Sequence, residues 1–272
     1  LGVFVFSCGN KKTPPPNIVL IFTDDQGYAD VGVYGAVGFK PANIDRLARE
    51  GILFTDFQVA QAVCSASRAA LLTGCYSERL GVLGAYTHTA RVGLNPDDTT
   101  IAEMLKPIGY TTAIFGKWHL GTRNHFHPNA RGFDEFYGFL AGAHGYFPLT
   151  REERVYSTVM RNNTPLKEPE YLTDAFARET VRFIHKNKDK RFFAYVPFNA
   201  VHTPLQAKDD VLEGIDATLP DRRRKLAAMT ISLDEAVGKV LEALERNGIA
   251  KNTLEKLIQD GRIHPGRIEE LY

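Results

Sequence analysis

Apolar runs rich in β-branched and aromatic residues alternate with helical segments along this chain, and this alternation most constrains its fold. The apolar runs lie at 17–22, 52–59, 110–115 and 191–198. Helical segments are predicted at 41–50, 64–74, 97–108, 171–186 and 221–248. Strands that are apolar on both faces are typical of a parallel sheet covered by helices. The pattern therefore predicts an α/β fold with a largely parallel central sheet and helices on both faces.

Length and charge argue against several classes of protein. A chain of 272 residues can bury a large core, as one large domain or two. Its net charge of +1 argues against a nucleic-acid binder or a polybasic membrane anchor. No apolar run reaches the roughly 20 residues that a membrane-spanning helix needs. Three cysteines do not make a disulfide framework, so Cys75 is interpreted as structural.

Residues 1–16 are interpreted as a signal remnant followed by a lipoprotein tether. Residues 1–8 look like the end of a hydrophobic signal segment, and 5–8 resemble a loose bacterial lipobox. Cys8 would then carry a lipid anchor, which predicts a location in the bacterial periplasm or at the outer membrane or cell surface. An ordinary apolar terminus with an unpaired cysteine fits these residues equally well. The polar residues and prolines that follow suit a tether.

Two adjacent carboxylates follow the first predicted strand. Asp24 and Asp25 lie at its carboxyl end, where open α/β sheets bind their ligands. Because neighbouring carboxylates repel each other, a divalent cation between them is a natural explanation, and oxygen ligands suit calcium or magnesium. The alternative is an aspartate turn or a helix cap without a metal.

Cys64 lies where a short apolar helix is predicted to begin. The first turn of a helix presents unpaired backbone N–H groups and a partial positive charge, which together favour an anion. Arg68 lies four residues later, on the same face of the helix. A nucleophilic side chain, a guanidinium and free N–H groups suit a tetrahedral oxyanion such as a sulfate or phosphate ester. The alternative is a buried structural cysteine beside a surface arginine.

Basic side chains follow three further segments. Lys117 and His119 lie two residues apart at the end of a predicted strand, and an extended backbone would point both to one side. His202 follows the strand at 191–198 and is a candidate proton donor, although a structural histidine is the alternative. His144, in a glycine-rich loop, is a candidate pocket residue. The histidine pair at 125 and 127 lacks the further ligands of a usual zinc site.

Five segments together resemble the type I sulfatases, in particular arylsulfatase A and the N-acetylgalactosamine-6-sulfatases. They are Thr-Asp-Asp-Gln-Gly at 23–27, which resembles the metal-binding strand end, Cys-Ser-Ala-Ser-Arg and the Leu-Leu-Thr-Gly that follows it within 64–74, Gly-Lys-Trp-His-Leu-Gly at 116–121, the segment 124–138, and the His-Thr-Pro at 202–204. The resemblance implies the alkaline-phosphatase-like fold. It also implies a sulfuric ester hydrolase that acts on carbohydrate sulfates or aryl sulfates.

The resemblance also implies the role of each candidate residue. Cys64 would be oxidised to formylglycine, whose hydrate attacks the sulfur of the ester, and Ala66 matches the version of the motif that an anaerobic-type maturation enzyme reads. Ca²⁺ would be held by Asp24 and Asp25 together with position 64. Arg68 would orient the hydrate.

The remaining candidates would act on the substrate. The resemblance implies that Lys117 and His119 stabilise charge and bind sulfate, that His202 protonates the leaving oxygen, and that His144 contacts the substrate. Two other functions stay open. A phosphatase or phosphodiesterase of the same superfamily would use Thr or Ser with two metals. A fragment that binds sulfated glycans without turnover is the other alternative.

The resemblance to sulfatases covers 17–254, interpreted as the amino-terminal part of a catalytic domain. Residues 255–272 read as a polar helix and turn and resemble a segment of ribonuclease Y, which predicts a tail from outside the family. The family's further metal-binding Asp and Asn, and a later Lys, then have no counterpart. On this basis we expect a truncated sheet that lacks a central strand and exposes apolar edges, with weak or no activity.

Overall fold

A computed structural model describes residues 14–149 and 158–260. Within them the chain forms one seven-stranded sheet in the order β5-β4-β3-β2-β6-β1-β7. The strands are β1 Asn17–Asp24, β2 Thr111–Lys117, β3 Glu135–Phe139, β4 Met160–Arg161, β5 Thr164–Pro165, β6 Phe192–Pro197 and β7 Thr253–Asp260. All pairs are parallel except those that involve the short strands β4 and β5. The predicted α/β fold with a largely parallel sheet is therefore confirmed.

Helices cover both faces of the sheet. They are α1 Ala42–Glu50, α2 Cys64–Thr73, α3 Ile101–Leu105, α4 Leu172–Asn187, α5 Asp209–Glu213 and α6 Asp221–Arg246. In β1, Val19 and Ile21 join the core formed with α1, α4 and α6, while Leu20 and Phe22 join the core formed with α2 and α3. Alternate side chains of one strand thus reach both cores, as the unbroken apolar run at 18–22 requires. Within the described residues, no helix is both long enough and apolar enough to span a membrane.

Helix α6 supplies the cap for helix α1. The carboxylate of Asp234 accepts hydrogen bonds from the backbone N–H of Ile44 at 2.8 Å and of Asn43 at 3.1 Å, and from the Asn43 side chain at 2.9 Å. These N–H groups lie at the amino end of α1, where a helix has no internal acceptors. The two helices approach closely at Gly238, where an added Cβ would lie 2.6 Å from the Asn43 side chain.

Two predicted elements differ from the structure. The run at 52–59 is not a strand, and Ile52 is 82% exposed. The neighbours of β1 in the sheet are β6 and β7 instead. The helix predicted at 97–108 begins only at Ile101, because Thr100 and Glu103 form a reciprocal capping box there.

The prediction of a polar helix and turn from residue 255 onward is wrong at 255–260, which belong to a strand that begins at Thr253. This strand is β7, which pairs in parallel with β1 from Asn17 opposite Thr253 to Asp24 opposite Asp260. Leu257 and Ile258 pack into the two opposite cores, so a polar-looking sequence meets the needs of a strand next to β1. The sheet therefore does not lack this strand, and β1 is not an exposed edge. The resemblance of the tail to ribonuclease Y stays a prediction.

Candidate active site

Most of the candidate residues lie at the carboxyl ends of the parallel strands, on one side of the molecule. Asp24 is the last residue of β1 and Lys117 the last residue of β2, and His202 follows β6. The backbone N–H of Asp24 donates to the Ala200 carbonyl at 2.9 Å, which joins the end of β1 to the loop that holds His202. As expected, residues that follow three strands far apart in the sequence, β1, β2 and β6, lie close together.

Three charged side chains form a fully buried cluster at these strand ends. Lys117 Nζ lies 2.6 Å from one carboxylate oxygen of Asp24, and Arg68 Nη2 lies 3.2 Å from the other. Arg68 also donates to the Lys117 carbonyl at 3.0 Å and lies over the ring of Phe22 at 5.1 Å. All three charged side chains have no exposed surface. Two cations and one carboxylate give this cluster a formal charge of +1, which favours a further anion.

The cations keep Asp24 ionised. Burial alone would raise the pKa of this carboxyl, but the attraction of Lys117, Arg68 and His202 outweighs it and leaves the pKa below its ordinary value. Asp24 is therefore a carboxylate throughout the neutral range, and its charge holds Arg68 and Lys117 in place.

Cys64 begins α2, one helical turn before Arg68. It is a free, half-buried cysteine. The α2 helix ends at Gly74, whose left-handed backbone (φ 71°) lets its N–H bond to the Ala70 carbonyl. Arg68 ties this helix to Asp24, so the first turn, with its unpaired N–H groups, is fixed relative to the end of β1. The buried position of Arg68 rules out the alternative of a surface arginine.

Three residues around Cys64 form a closed hydrogen-bonded loop. The Tyr86 N–H donates to Ser65 Oγ at 3.0 Å, Ser65 Oγ donates to the His119 carbonyl at 2.9 Å, and His119 Nε2 lies 2.8 Å from the Tyr86 carbonyl. A carbonyl can only accept, so Nε2 carries the proton. The sequence did not single out Ser65 or Tyr86 for a role. Ser65 lies within the Cys-Ser-Ala-Ser-Arg motif, but nothing in the sequence around Tyr86 indicates that its backbone bonds to Ser65 and His119.

His119 is neutral in this environment. Burial, and then the nearby charge of Lys117, lower its pKa to about 4. Its Nδ1 is buried and has no hydrogen-bond partner among the described residues, so it is an available acceptor. The expected strand-like alternation of Lys117 and His119 is wrong, because β2 ends at Lys117 and His119 has a φ of 57°. The turn, rather than a shared strand face, places the imidazole.

Asp25 and His202 form the more exposed side of the site. His202 Nε2 lies 3.7 Å from a carboxylate oxygen of Asp25, whose side chain is 54% exposed. His202 Nδ1 lies 2.6 Å from the Thr203 carbonyl and so carries a proton. The Tyr146 hydroxyl lies 2.8 Å from the His202 carbonyl and 2.6 Å from the Asn199 carbonyl, which fixes the loop. Nε2 is the nitrogen of His202 left for exchange with a ligand.

His144 lies apart from the other candidates. It packs against Phe139, with ring centroids 4.9 Å apart, and it lines a separate small pocket together with Tyr146 and Glu168. None of the other predicted site residues lines that pocket. The structure does not bring His144 together with Cys64, and its substrate contact stays a prediction.

The described residues bring together only some of the ligands that a metal ion would need. There, no group of three or more His, Cys, Asp or Glu side chains lies close enough to hold a metal ion. Asp24 and Asp25 nevertheless supply carboxylates at successive positions of the chain, and Asp24 Oδ1 is a buried oxygen that forms an ion pair with Arg68 but accepts no hydrogen bond of good geometry. This donor chemistry suits a hard cation such as Ca²⁺. The backbone register also brings Asp260 opposite Asp24.

Comparison with known proteins identifies the family. Residues 16–254 match the sulfatase family model. The chain is 37% identical over 262 residues to N-acetylgalactosamine-6-sulfatase of Rattus norvegicus, an alignment that covers 88% of this chain and 48% of that protein. It is 32% identical to arylsulfatase J of Mus musculus, covering 90% of this chain and 42% of that protein.

A solved structure shows the same architecture. The crystal structure of Ps i-CgsB is similar with a TM-score of 0.85 and 40% identity, over 91% of this chain and 59% of that one. The chain spans about half the length of the curated relatives it matches. The family match and these likenesses agree with the strand-end site described above, and we conclude that this chain belongs to the sulfatase family.

Proposed function

We propose that this chain carries the sulfate-binding and nucleophile-bearing part of a sulfuric ester hydrolase. The observation that carries the proposal is the buried cluster of Asp24, Arg68 and Lys117, which is linked through α2 to Cys64. A cluster with a formal charge of +1 beside the first turn of a helix suits a sulfate group. The family match supports this anion over a phosphate.

The side chains of the site have distinct tasks. Arg68 and Lys117 balance the charge of the sulfate oxygens, and Asp24 holds both cations in position. The neutral His119 offers Nδ1 as a hydrogen-bond acceptor for a hydroxyl that attacks the ester. When both ring nitrogens of His202 carry a proton, Nε2 beside Asp25 can donate its proton to the leaving oxygen, and the proton on Nδ1 stays bonded to the Thr203 carbonyl.

The nucleophile is proposed to arise from Cys64. Oxidation of its thiol by an anaerobic-type maturation enzyme would give formylglycine, which supplies a hydrated aldehyde as the attacking group. The half-buried, unpaired state of Cys64 leaves it accessible to such chemistry.

Ca²⁺ is proposed as the metal, held by Asp24 and Asp25, with position 64 as a further predicted ligand. When bound it would polarise the sulfate group. Titration calorimetry of Ca²⁺ into the wild type and an Asp25→Asn variant tests the assignment. Equal binding heats for the two proteins would contradict it.

The proposed substrates are carbohydrate sulfates, with aryl sulfates as smaller alternatives. Similar proteins carry the name N-acetylgalactosamine-6-sulfatase, and Ps i-CgsB has been solved in complex with k-i-k-neocarrahexaose. A lipid anchor at Cys8 and a periplasmic or cell-surface location stay predictions, because residues 1–13 lie outside the described residues.

The test of this function compares the cysteines that the structure describes. After co-expression with an anaerobic-type maturation enzyme, the peptide that contains Cys64 should be about 18 Da lighter than its unmodified form. Release of sulfate from N-acetylgalactosamine 6-sulfate should disappear in Cys64→Ala and persist in Cys75→Ala, since Cys75 is exposed and lies outside the site. Detectable sulfate release that is equal in the wild type, Cys64→Ala and Cys75→Ala would overturn the proposal.

A further inference from the structure

Tyr146 is a buried residue that connects helix α4 to the loop that carries His202. Its side chain has no exposed surface. Its backbone N–H donates to Gln206 Oε1 at 2.7 Å, and its carbonyl accepts a hydrogen bond of 2.8 Å from the N–H of Leu172, the first residue of α4. Its hydroxyl lies 2.6 Å from the Asn199 carbonyl and 2.8 Å from the His202 carbonyl.

The hydroxyl of Tyr146 is the donor in these contacts. Both partners are carbonyl oxygens, which can only accept, so its one proton is shared between them. Burial above all raises the pKa of Tyr146 well above its ordinary value, which keeps the phenol protonated. The Asn199 carbonyl also accepts from the N–H of His202 at 2.9 Å. The hydroxyl therefore bonds to both ends of one turn.

The ring of Tyr146 is held by a second tyrosine. It stacks on Tyr171, with ring centroids 5.5 Å apart and an angle of 24° between the planes. The Tyr171 hydroxyl donates to the Gln206 carbonyl at 2.8 Å, and the side chain of the same glutamine accepts from Tyr146. These three residues form a closed set of contacts, which fixes the direction of the Tyr146 hydroxyl.

The loop is bonded to β1 as well. The N–H of Asp24 donates to the Ala200 carbonyl at 2.9 Å, and the N–H of Val201 donates to the Asp24 carbonyl at 2.7 Å. These two bonds hold residues 200 and 201 against the end of the strand. The bond to the carbonyl of His202 itself comes from Tyr146.

We infer that Tyr146 is a positioning residue that acts through His202. The inference rests on the proposed function, in which His202 Nε2 gives a proton to the leaving oxygen as the bond between sulfur and that oxygen breaks. A proton donor must lie within hydrogen-bonding distance of its acceptor, and a displacement of about 1 Å can cost roughly a hundredfold in rate. By holding the His202 backbone, Tyr146 sets where Nε2 lies beside Asp25.

The leaving group distinguishes this role from a general loss of structure. 4-Nitrophenolate leaves as a stable anion, whereas the sugar alcohol of N-acetylgalactosamine 6-sulfate must gain a proton as it leaves. In the full-length chain matured at Cys64, Tyr146→Phe keeps the ring and removes only the hydroxyl. It should lower kcat for the sugar sulfate about tenfold with KM nearly unchanged, and kcat for 4-nitrophenyl sulfate less than twofold.

Two further changes complete the kinetic test. His202→Ala should show the same dependence on the leaving group, and adding Tyr146→Phe to it should have no further effect. The control Tyr110→Phe removes another buried phenol hydroxyl, which bonds to the Pro16 carbonyl at 2.7 Å, and should hydrolyse both esters as the wild type does. If Tyr146→Phe loses nothing, loses equally for both esters, or adds fully to His202→Ala, the inference is wrong and the proposed function stands.

The ring signals of His202 in nuclear magnetic resonance spectra test the same point without turnover. Their absence in His202→Ala assigns them. They should shift in Tyr146→Phe and stay unchanged in Tyr110→Phe. Unchanged signals in a folded Tyr146→Phe would overturn the inference, and a wild type that hydrolyses neither ester would contradict the proposed function.

Discussion

His119 shows how a single buried side chain couples this site to pH. Its imidazole is 5% exposed, donates to a backbone carbonyl and lies near two cations, so protonation is unfavourable in the folded state. The pKa falls from 6.5 to about 4. The unfolded chain therefore binds one more proton than the folded chain between these values, and stability rises with pH across that window.

This shift predicts a pH-dependent loss of stability. Between pH 6.5 and 4 the wild type should lose up to about 3 kcal/mol through His119, because each unit of pKa shift is worth about 1.36 kcal/mol. A His119→Gln variant keeps a hydrogen-bonding amide but cannot titrate. The free energy of unfolding, measured with urea at several pH values from 4 to 7, should change less with pH in this variant than in the wild type. The same pH dependence in both proteins would refute the assignment.

At the scale of secondary structure, contacts between helices decide where an element begins. Helix α1 has Pro41 at its N-cap and no side-chain cap of its own. Asp234 of α6, 190 residues away in the sequence, accepts hydrogen bonds from the first N–H groups of α1 and so caps it. Burial raises the pKa of Asp234, although the donors from Asn43 and Ile44 oppose that shift. The carboxylate thus links the two helices as well as ending the run of unpaired N–H groups.

Removing this cap should destabilise the protein. Asp234→Ala leaves buried N–H groups without an acceptor, which costs about 1–3 kcal/mol. The neighbouring Glu235 is an exposed residue of the same helix, and Glu235→Ala should change the stability by less than about 0.5 kcal/mol. Urea unfolding measures both variants, and equal losses would show that Asp234 does not act as the cap.

For the whole molecule, β7 is the element whose observed structure differs most from the prediction, which was a polar helix and turn. Ile258 is 5% exposed and packs into the core shared with α2, while Leu254 of the same strand is 55% exposed. Ile258→Ala should therefore cost about 2–5 kcal/mol, and Leu254→Ala less than about 0.5 kcal/mol. If the segment were a polar helix and turn, urea unfolding would find both changes equally mild.

Much of the architecture could be predicted from the sequence. The wholly apolar run that became β1 and the polar residues at strand ends, such as Asp24 and Lys117, follow directly from the periodicity and the position of ligands in parallel sheets. The Cys64 helix began at the residue predicted.

Other features depend on contacts that a local pattern does not contain. The apolar run at 52–59 has the composition of a buried strand, and only the structure shows that it joins no strand of the sheet and that Ile52 and Phe54 are 82% and 55% exposed. The strand β7 itself was missed, since Glu255 and Lys256 obscure the apolar residues that follow them. The neutral state of His119 and its bond to Tyr86 need a turn and a distant loop.

If the cations beside Cys64 form the proposed sulfate site, the protein should bind inorganic sulfate with an affinity that depends on Arg68. Arg68→Leu should abolish sulfate binding measured by calorimetry, and Arg68→Lys should weaken it, since lysine keeps the charge but not the planar fork. The control Arg79→Leu changes an arginine of an exposed turn. We expect that only the two Arg68 variants lose affinity for sulfate. Sulfate binding that is unchanged in folded Arg68→Leu and Arg68→Lys would contradict the proposed site.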